Sequence, residues 1–342
     1  MSPFSHDYTT AAARLQAAAL GWQHTRYPHP ERGPGGEDLA TDVYRLGSPS
    51  ARRLLIINSA THGLEGLLGS ATQLAFVERL VPPGPDLAIV VIHAINPHGF
   101  AWRRRVTHEG VDLNRNFIDF GVPPPENPLY QRLAAEVDPD EWPDGPLPGQ
   151  GTPVALRQAV HAGQYQNPKG SFFGGHAPTW SRRTLEAIYA AQGGAAETIL
   201  LVDLHTGAGP WAATECFVAE PAASSIARAW FPGAEAFVMA ERPRFGDPTG
   251  VPGLLVSSLN QAFPDRSTIA VLTECGTYAG DMPVTAARRS AFAMRHGLDT
   301  SAVGQRWAVE AQEVFCPADP SWRRYALAGV IARLDQAVAA LA

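Results

Sequence analysis

The sequence predicts an α/β protein with one sheet, parallel at least in part, running through the chain. Three observations carry that expectation. Short apolar runs rich in β-branched residues recur between turn signals, helical spacing separates the first two, and no shift in composition divides the 342 residues. A chain of this length has ample core, and open α/β sheets of this size commonly form one domain, so a single domain over 1–342 is expected.

Residues 11–20 have the spacing of a short amphipathic helix, and Pro28–Glu37 is dense enough in proline and glycine to be read as loop. Arg52–Ser59 (RRLLIINS) and Leu87–Ile95 (LAIVVIHAI) look like strands buried on both faces, with helical spacing over Gly66–Leu80 between them. Together they form a βαβ unit, which requires parallel strands and a right-handed crossover. Thr198–Leu204 and Thr268–Thr273 are two further buried strands, and Cys216–Ala219 and Ala236–Met239 are weaker ones. The proline-rich stretch at about 121–151 is read as a surface excursion inside the domain, because strands continue beyond it. Helices are expected over Pro283–Met294 and Trp322–Leu341.

Bulk composition excludes several classes. With 45% hydrophobic and 18% charged residues the chain is neither disordered nor fibrous, and a net charge of −6 offers no broad basic field for nucleic acid or an anionic membrane. The cysteines Cys216, Cys275 and Cys316 are too few and too dispersed for a disulfide framework or a thiolate metal site. With no signal-peptide pattern and no run of ~18 apolar residues, a cytoplasmic location is expected. Nothing in the sequence sets the oligomeric state.

Chemistry collects at strand ends, where open α/β sheets place ligands. In Ser59–Glu65 (SATHGLE), His62 and Glu65 are three apart at a loop-to-helix junction, so both can reach one cation; a turn histidine beside a first-turn glutamate fits the same pattern. His205 ends a strand in Asp203–Gly207 (DLHTG) and would complete a His₂Glu set with a fourth position open, the arrangement of a catalytic zinc. Asp203, two residues back, either orients that ligand or pairs elsewhere. Glu274 ends the apolar run before Cys275–Gly276, where a buried carboxylate needs a partner. A general base and a structural ion pair both satisfy it. Cys275 as a nucleophile competes, but adjacent strand residues face opposite ways, so Glu274 and Cys275 should not share a pocket. Arg103, Arg104, Arg105 and Arg115 crowd into thirteen residues, a concentrated resource for an anion and an oxyanion.

Read in order, HGLE, NPHGFAWRRR, GVDLNRNF, DLHTG and TECGTY resemble the zinc carboxypeptidases of the carboxypeptidase A type, over residues 58–278. The resemblance implies a mixed, mostly parallel sheet flanked by helices, of the phosphorylase/hydrolase type, and one zinc ion on His62, Glu65 and His205. It implies Glu274 as general base, Arg103 as the arginine that polarises the scissile carbonyl, and Asn114 and Arg115 as the grip on a terminal carboxylate. DLHTG and TECG are closer to the aspartoacylase and succinylglutamate desuccinylase branch, which cleaves N-acyl amino acids. The expected substrate is therefore a small peptide or acyl amino acid with a free carboxylate. NPHGF, WRRR and GVDLNRNF favour the carboxypeptidase form, with N-acyl amino acid amidohydrolysis as the alternative. A catalytically silent carboxylate- or zinc-binding protein is a third class, disfavoured because binding alone does not need Glu274. Tyr278 receives no role.

Overall fold

The computed structural model describes residues 2–147, 151–219, 221–232, 236–238 and 251–342. Four apolar strands form the parallel centre of the sheet: β3 (Arg53–Ser59), β4 (Leu87–His93), β5 (Thr198–Gly207) and β8 (Ser267–Gly276). All seven residues of β4 are buried, as the continuous apolar run requires. β1 (Gln23–Arg32) and β2 (Asp38–Leu46) add an antiparallel hairpin on one side, and β6 (Thr214–Val218) and β7 (Ala236–Val238) extend the other, in the order β1-β2-β4-β3-β5-β8-β6-β7. The sheet is thus mixed, with a parallel core. Met239, expected at the end of β7, lies outside the described residues.

Alternate residues feed two cores. Leu55, Ile57, Ile89, Val91, Leu200 and Val202 meet α1 (Tyr8–Ala18), α2 (Gly66–Arg79) and α12 (Pro320–Leu341). Leu54, Ile56, Val90, Ile92, Ile199 and Leu201 meet α7 (Trp180–Gln192) and α9 (Ser258–Ala262). A third cluster joins α4 (Pro128–Arg132), α5 (Ala134–Val137), α6 (Val154–His161), α10 (Met282–Arg295) and α11 (Ala302–Phe315). The short α3 (Pro97–Ala101) follows β4, and α8 (Pro221–Trp230) precedes β7.

One expectation changes. Pro28–Glu37 is not simply loop: β1 continues through Pro28 and Pro30 to Arg32, with an irregular register between Pro28 and Arg32. It is an edge strand, mostly exposed, where a missing proline N–H costs no ladder bond. The proline-rich stretch is mostly exposed and is anchored at a few points: Tyr130 and Val137 are buried in the third cluster, and Arg288 donates to the carbonyls of Glu136 and Val137.

Candidate active site

β3 delivers the first two polar groups. After Ser59 the chain turns through Ala60, at φ 58°, and places His62 and Glu65 on a short 3₁₀ turn ahead of α2. That turn lies against α3 so closely that a Cβ on Gly63 would come within 1.9 Å of the Gly99 carbonyl carbon, so only glycine fits. β5 supplies His205, and β8 sets Glu274 directly beside it in parallel register.

His62 Nδ1 lies 2.7 Å from Glu65 Oε1, and His205 Nδ1 lies 2.9 Å from Glu65 Oε2. Donor atoms of these three buried residues all lie within 4.8 Å of one another, so they could hold a metal ion. Each imidazole is braced from behind. His205 Nε2 meets Asp203 Oδ2 at 2.7 Å, and Asp203 Oδ1 accepts from Asn58 and Thr61. His62 Nε2 meets Asp112 Oδ1 at 3.1 Å. The donor set fits a divalent cation: two imidazoles turn one nitrogen to a shared carboxylate and are held by carboxylates on the other.

Electrostatics point the same way. Burial works against ionising Glu65, but the charges of His62 and His205 outweigh it and hold the carboxyl below its ordinary range. Burial likewise opposes charge on His205, yet Asp203 and Glu65 raise its pKa well above normal. Positive charge is favoured at this point of the structure. Glu274 moves oppositely: burial, then the Glu65 carboxylate, push it up to about 8, and its Oε1 accepts the Ala208 N–H at 2.8 Å. Cys275 is buried in the first core and does not line the cavity.

These residues border a cavity of about 410 Å³ that Arg105, Asn114 and Arg115 also line. Arg103, the residue expected to polarise the carbonyl, is not among its lining residues. It adopts φ 52° just beyond α3, and its Nε donates to Gln312 Oε1 on α11 at 2.9 Å. This left-handed residue separates the courses of three consecutive arginines. Arg104 pairs with Asp299, while Arg105 turns inward, its Nε donating to Asp112 Oδ2 at 2.9 Å and its Nη1 lying 3.8 Å from Glu65.

Asn114 Oδ1 accepts the Leu255 N–H at 2.8 Å. Arg115 donates from Nη1 and Nη2 to the carbonyls of Asn114 and His161, each at 2.7 Å, and its Nε is buried without a partner. Among the described residues, no carboxylate lies within ion-pair distance of Arg115. Sequence reasoning did not single out Asp112, which joins His62, Arg105 and the Asn114 N–H; its signal was its place two residues before Asn114. Tyr278 lines the cavity and donates to Glu313 Oε1 at 3.0 Å.

Residues 4–329 match the family described as "Protein of unknown function (DUF2817)". This chain belongs to the DUF2817 family. No curated protein matches the sequence. Among solved structures, the DUF2817 chain is similar to bovine thrombin-activatable fibrinolysis inhibitor, solved in complex with tick carboxypeptidase inhibitor: 9% identity, TM-score 0.51, covering 99% of this chain and 97% of that one. Carboxypeptidase A from Helicoverpa armigera aligns at 13% identity and TM-score 0.44, over 90% of this chain and 74% of that one. An aspartoacylase family protein from Mesorhizobium loti aligns at 16% and 0.39, over 81% and 68%. The likeness to the bovine inhibitor shows the fold alone, a mixed sheet with a parallel core and flanking helices. Among the described residues no helix is long and apolar enough to cross a membrane.

Proposed function

We propose that this protein is a metal-dependent hydrolase that cleaves an amide bond beside a free carboxylate. The observation that carries the reading is Arg115, a buried guanidinium that feels Asp112 only through space, makes no direct ion pair among the described residues and leaves its Nε unpaired, in the same cavity as His62, Glu65, His205 and Glu274. A buried charge is costly unless paired, so an anionic group on a ligand is its natural complement.

A zinc ion held by His62, Glu65 and His205 would supply Lewis acidity toward the scissile carbonyl and activate water. Glu274 accepts the proton of the attacking water and returns it to the leaving amine, and its burial suits it to hold that proton. Arg105, rather than Arg103, bears on the carbonyl oxygen, because it alone of the three consecutive arginines lines the cavity. Arg115 and Asn114 grip the carboxylate.

The N-acyl amino acid reading uses the same groups and differs only in the bond presented. Metal analysis of the purified protein, with parallel assays of N-acyl dipeptides and N-acyl amino acids, tests both. Cleavage of free-acid dipeptides but not their C-terminal amides supports the carboxypeptidase form. Cleavage of N-acyl amino acids alone assigns the second form, and no turnover of either class by metal-loaded protein overturns the proposal.

A further inference from the structure

Phe172 has a backbone conformation that its side chain disfavours. Its φ is 55°, in the left-handed region that glycine occupies freely and bulky residues rarely do, although Gly170, Gly174 and Gly175 stand nearby in the same loop. Strain of this kind persists where the surroundings overdetermine it. Here the ring lines the cavity, with the Arg105 Cζ 4.3 Å from its centroid and the Arg115 Cζ at 5.9 Å, both within cation–π range.

The loop carrying it is fastened around Arg115 from several directions. Tyr165 Oη donates to the Arg115 carbonyl at 2.7 Å, and the Phe173 carbonyl accepts the Asp112 N–H at 2.7 Å. The Gly174 carbonyl accepts from Asn116 Nδ2 at 2.8 Å. A Cβ on Gly163 would lie 2.7 Å from Arg115 Cδ, so the loop closes directly onto that side chain. One aromatic ring is therefore within cation–π reach of both guanidiniums.

We propose that Phe172 is a positioning residue that holds Arg105 and Arg115 in a fixed mutual orientation for the two ends of a carboxylate-bearing substrate. This rests on the roles given above to those arginines. Phe172 also belongs to the third apolar cluster, so packing must be separated from positioning. Phe172→Leu keeps apolar bulk and removes the aromatic face, and Phe172→Tyr keeps that face.

The test has two readouts on the full-length, metal-loaded chain. Binding of N-benzoylglycine, measured by calorimetry in a Glu274→Gln background, should weaken about tenfold in Phe172→Leu and stay within about twofold in Phe172→Tyr. Guanidinium rotation about Nε–Cζ of Arg105 and Arg115, measured by NMR, should accelerate in Phe172→Leu alone. Equal binding and equal rotation in both variants, whatever their melting temperatures, overturns the positioning role. If N-benzoylglycine does not bind the Phe172-containing protein, the carboxylate reading fails and the rotation rates alone decide. Should Phe172→Leu not fold, Phe172→Met replaces it in both measurements.

Discussion

Asp112 Oδ1 stands 3.1 Å from His62 Nε2, and the same carboxylate accepts from Arg105 through its other oxygen. One buried anion thus ties the His62 imidazole to the arginine beside it. Burial would favour its neutral form, but Arg105, His62 and Arg115 together hold its pKa well below the ordinary value. Asp112→Asn should weaken metal affinity by about 10- to 100-fold, as loss of such a brace typically does. Competition against a chelator of known affinity measures it, and unchanged affinity would remove Asp112 from the metal site.

Glu274→Gln is predicted to cut turnover by about 10²–10⁴-fold while metal content stays at the level of the unaltered protein. The amide can still accept from Ala208, so the fold around residue 274 should persist. Turnover comparable to that of the unaltered enzyme would sink the base assignment.

The two arginines at the ends of the WRRR run give opposite predictions. Arg105→Ala should lower kcat/KM by about 10²–10³-fold, the loss expected for a donor to a developing oxyanion. Arg103→Ala, which removes a contact to Gln312 outside the cavity, should stay within about threefold. The reverse ranking would restore Arg103 to the reaction.

Metal removal should abolish activity, and thiol alkylation should not. Cys216, Cys275 and Cys316 are all buried, and burial pushes each thiol's pKa up, to about 11 for Cys216 and about 12 for Cys316. Activity that survives exhaustive chelation and disappears on treatment with iodoacetamide would instead identify a cysteine hydrolase.

Stability should fall as pH drops from about 6.5 to 4. Burial lowers the pKa of His93 to about 4 and those of His98 and His161 to about 3. Between the ordinary value and these, the unfolded chain binds protons that the native one does not, so stability rises with pH across that window. His205, shifted upward, contributes in full below its ordinary pKa and so adds no slope there, while Glu274, raised to about 8, opposes the trend above about pH 4.5 as one group against three histidines. At about 1.4 kcal/mol per unit, His93 alone contributes on the order of 3 kcal/mol. Urea unfolding at pH 7 and pH 4.5 measures the sum, and a flat profile would contradict these buried neutral histidines.

The parallel centre of the sheet was legible because burial on both faces leaves a plain mark: β3, β4, β5 and β8 are apolar runs with few interruptions. The β1–β2 hairpin was not, since an exposed edge strand carries no apolar alternation and its prolines read as loop. His62, Glu65, His205 and Glu274 could be selected as candidates because each follows such a run. Their convergence depends on register, which sets Glu274 beside His205 only once β5 and β8 pair.

By itself, then, the sequence determined the strands of the sheet core and the chemistry available at their ends. The tertiary structure decided which groups share a cavity. Arg103, Arg104 and Arg105 are the same residue type in succession, and only the left-handed turn at Arg103 and the partners Gln312, Asp299 and Asp112 separate them. Phe172 meets Arg105 and Arg115 across more than fifty residues of chain. Local sequence records burial and spacing, whereas the direction of a side chain is set by contacts distant in the chain, and those exist only after folding.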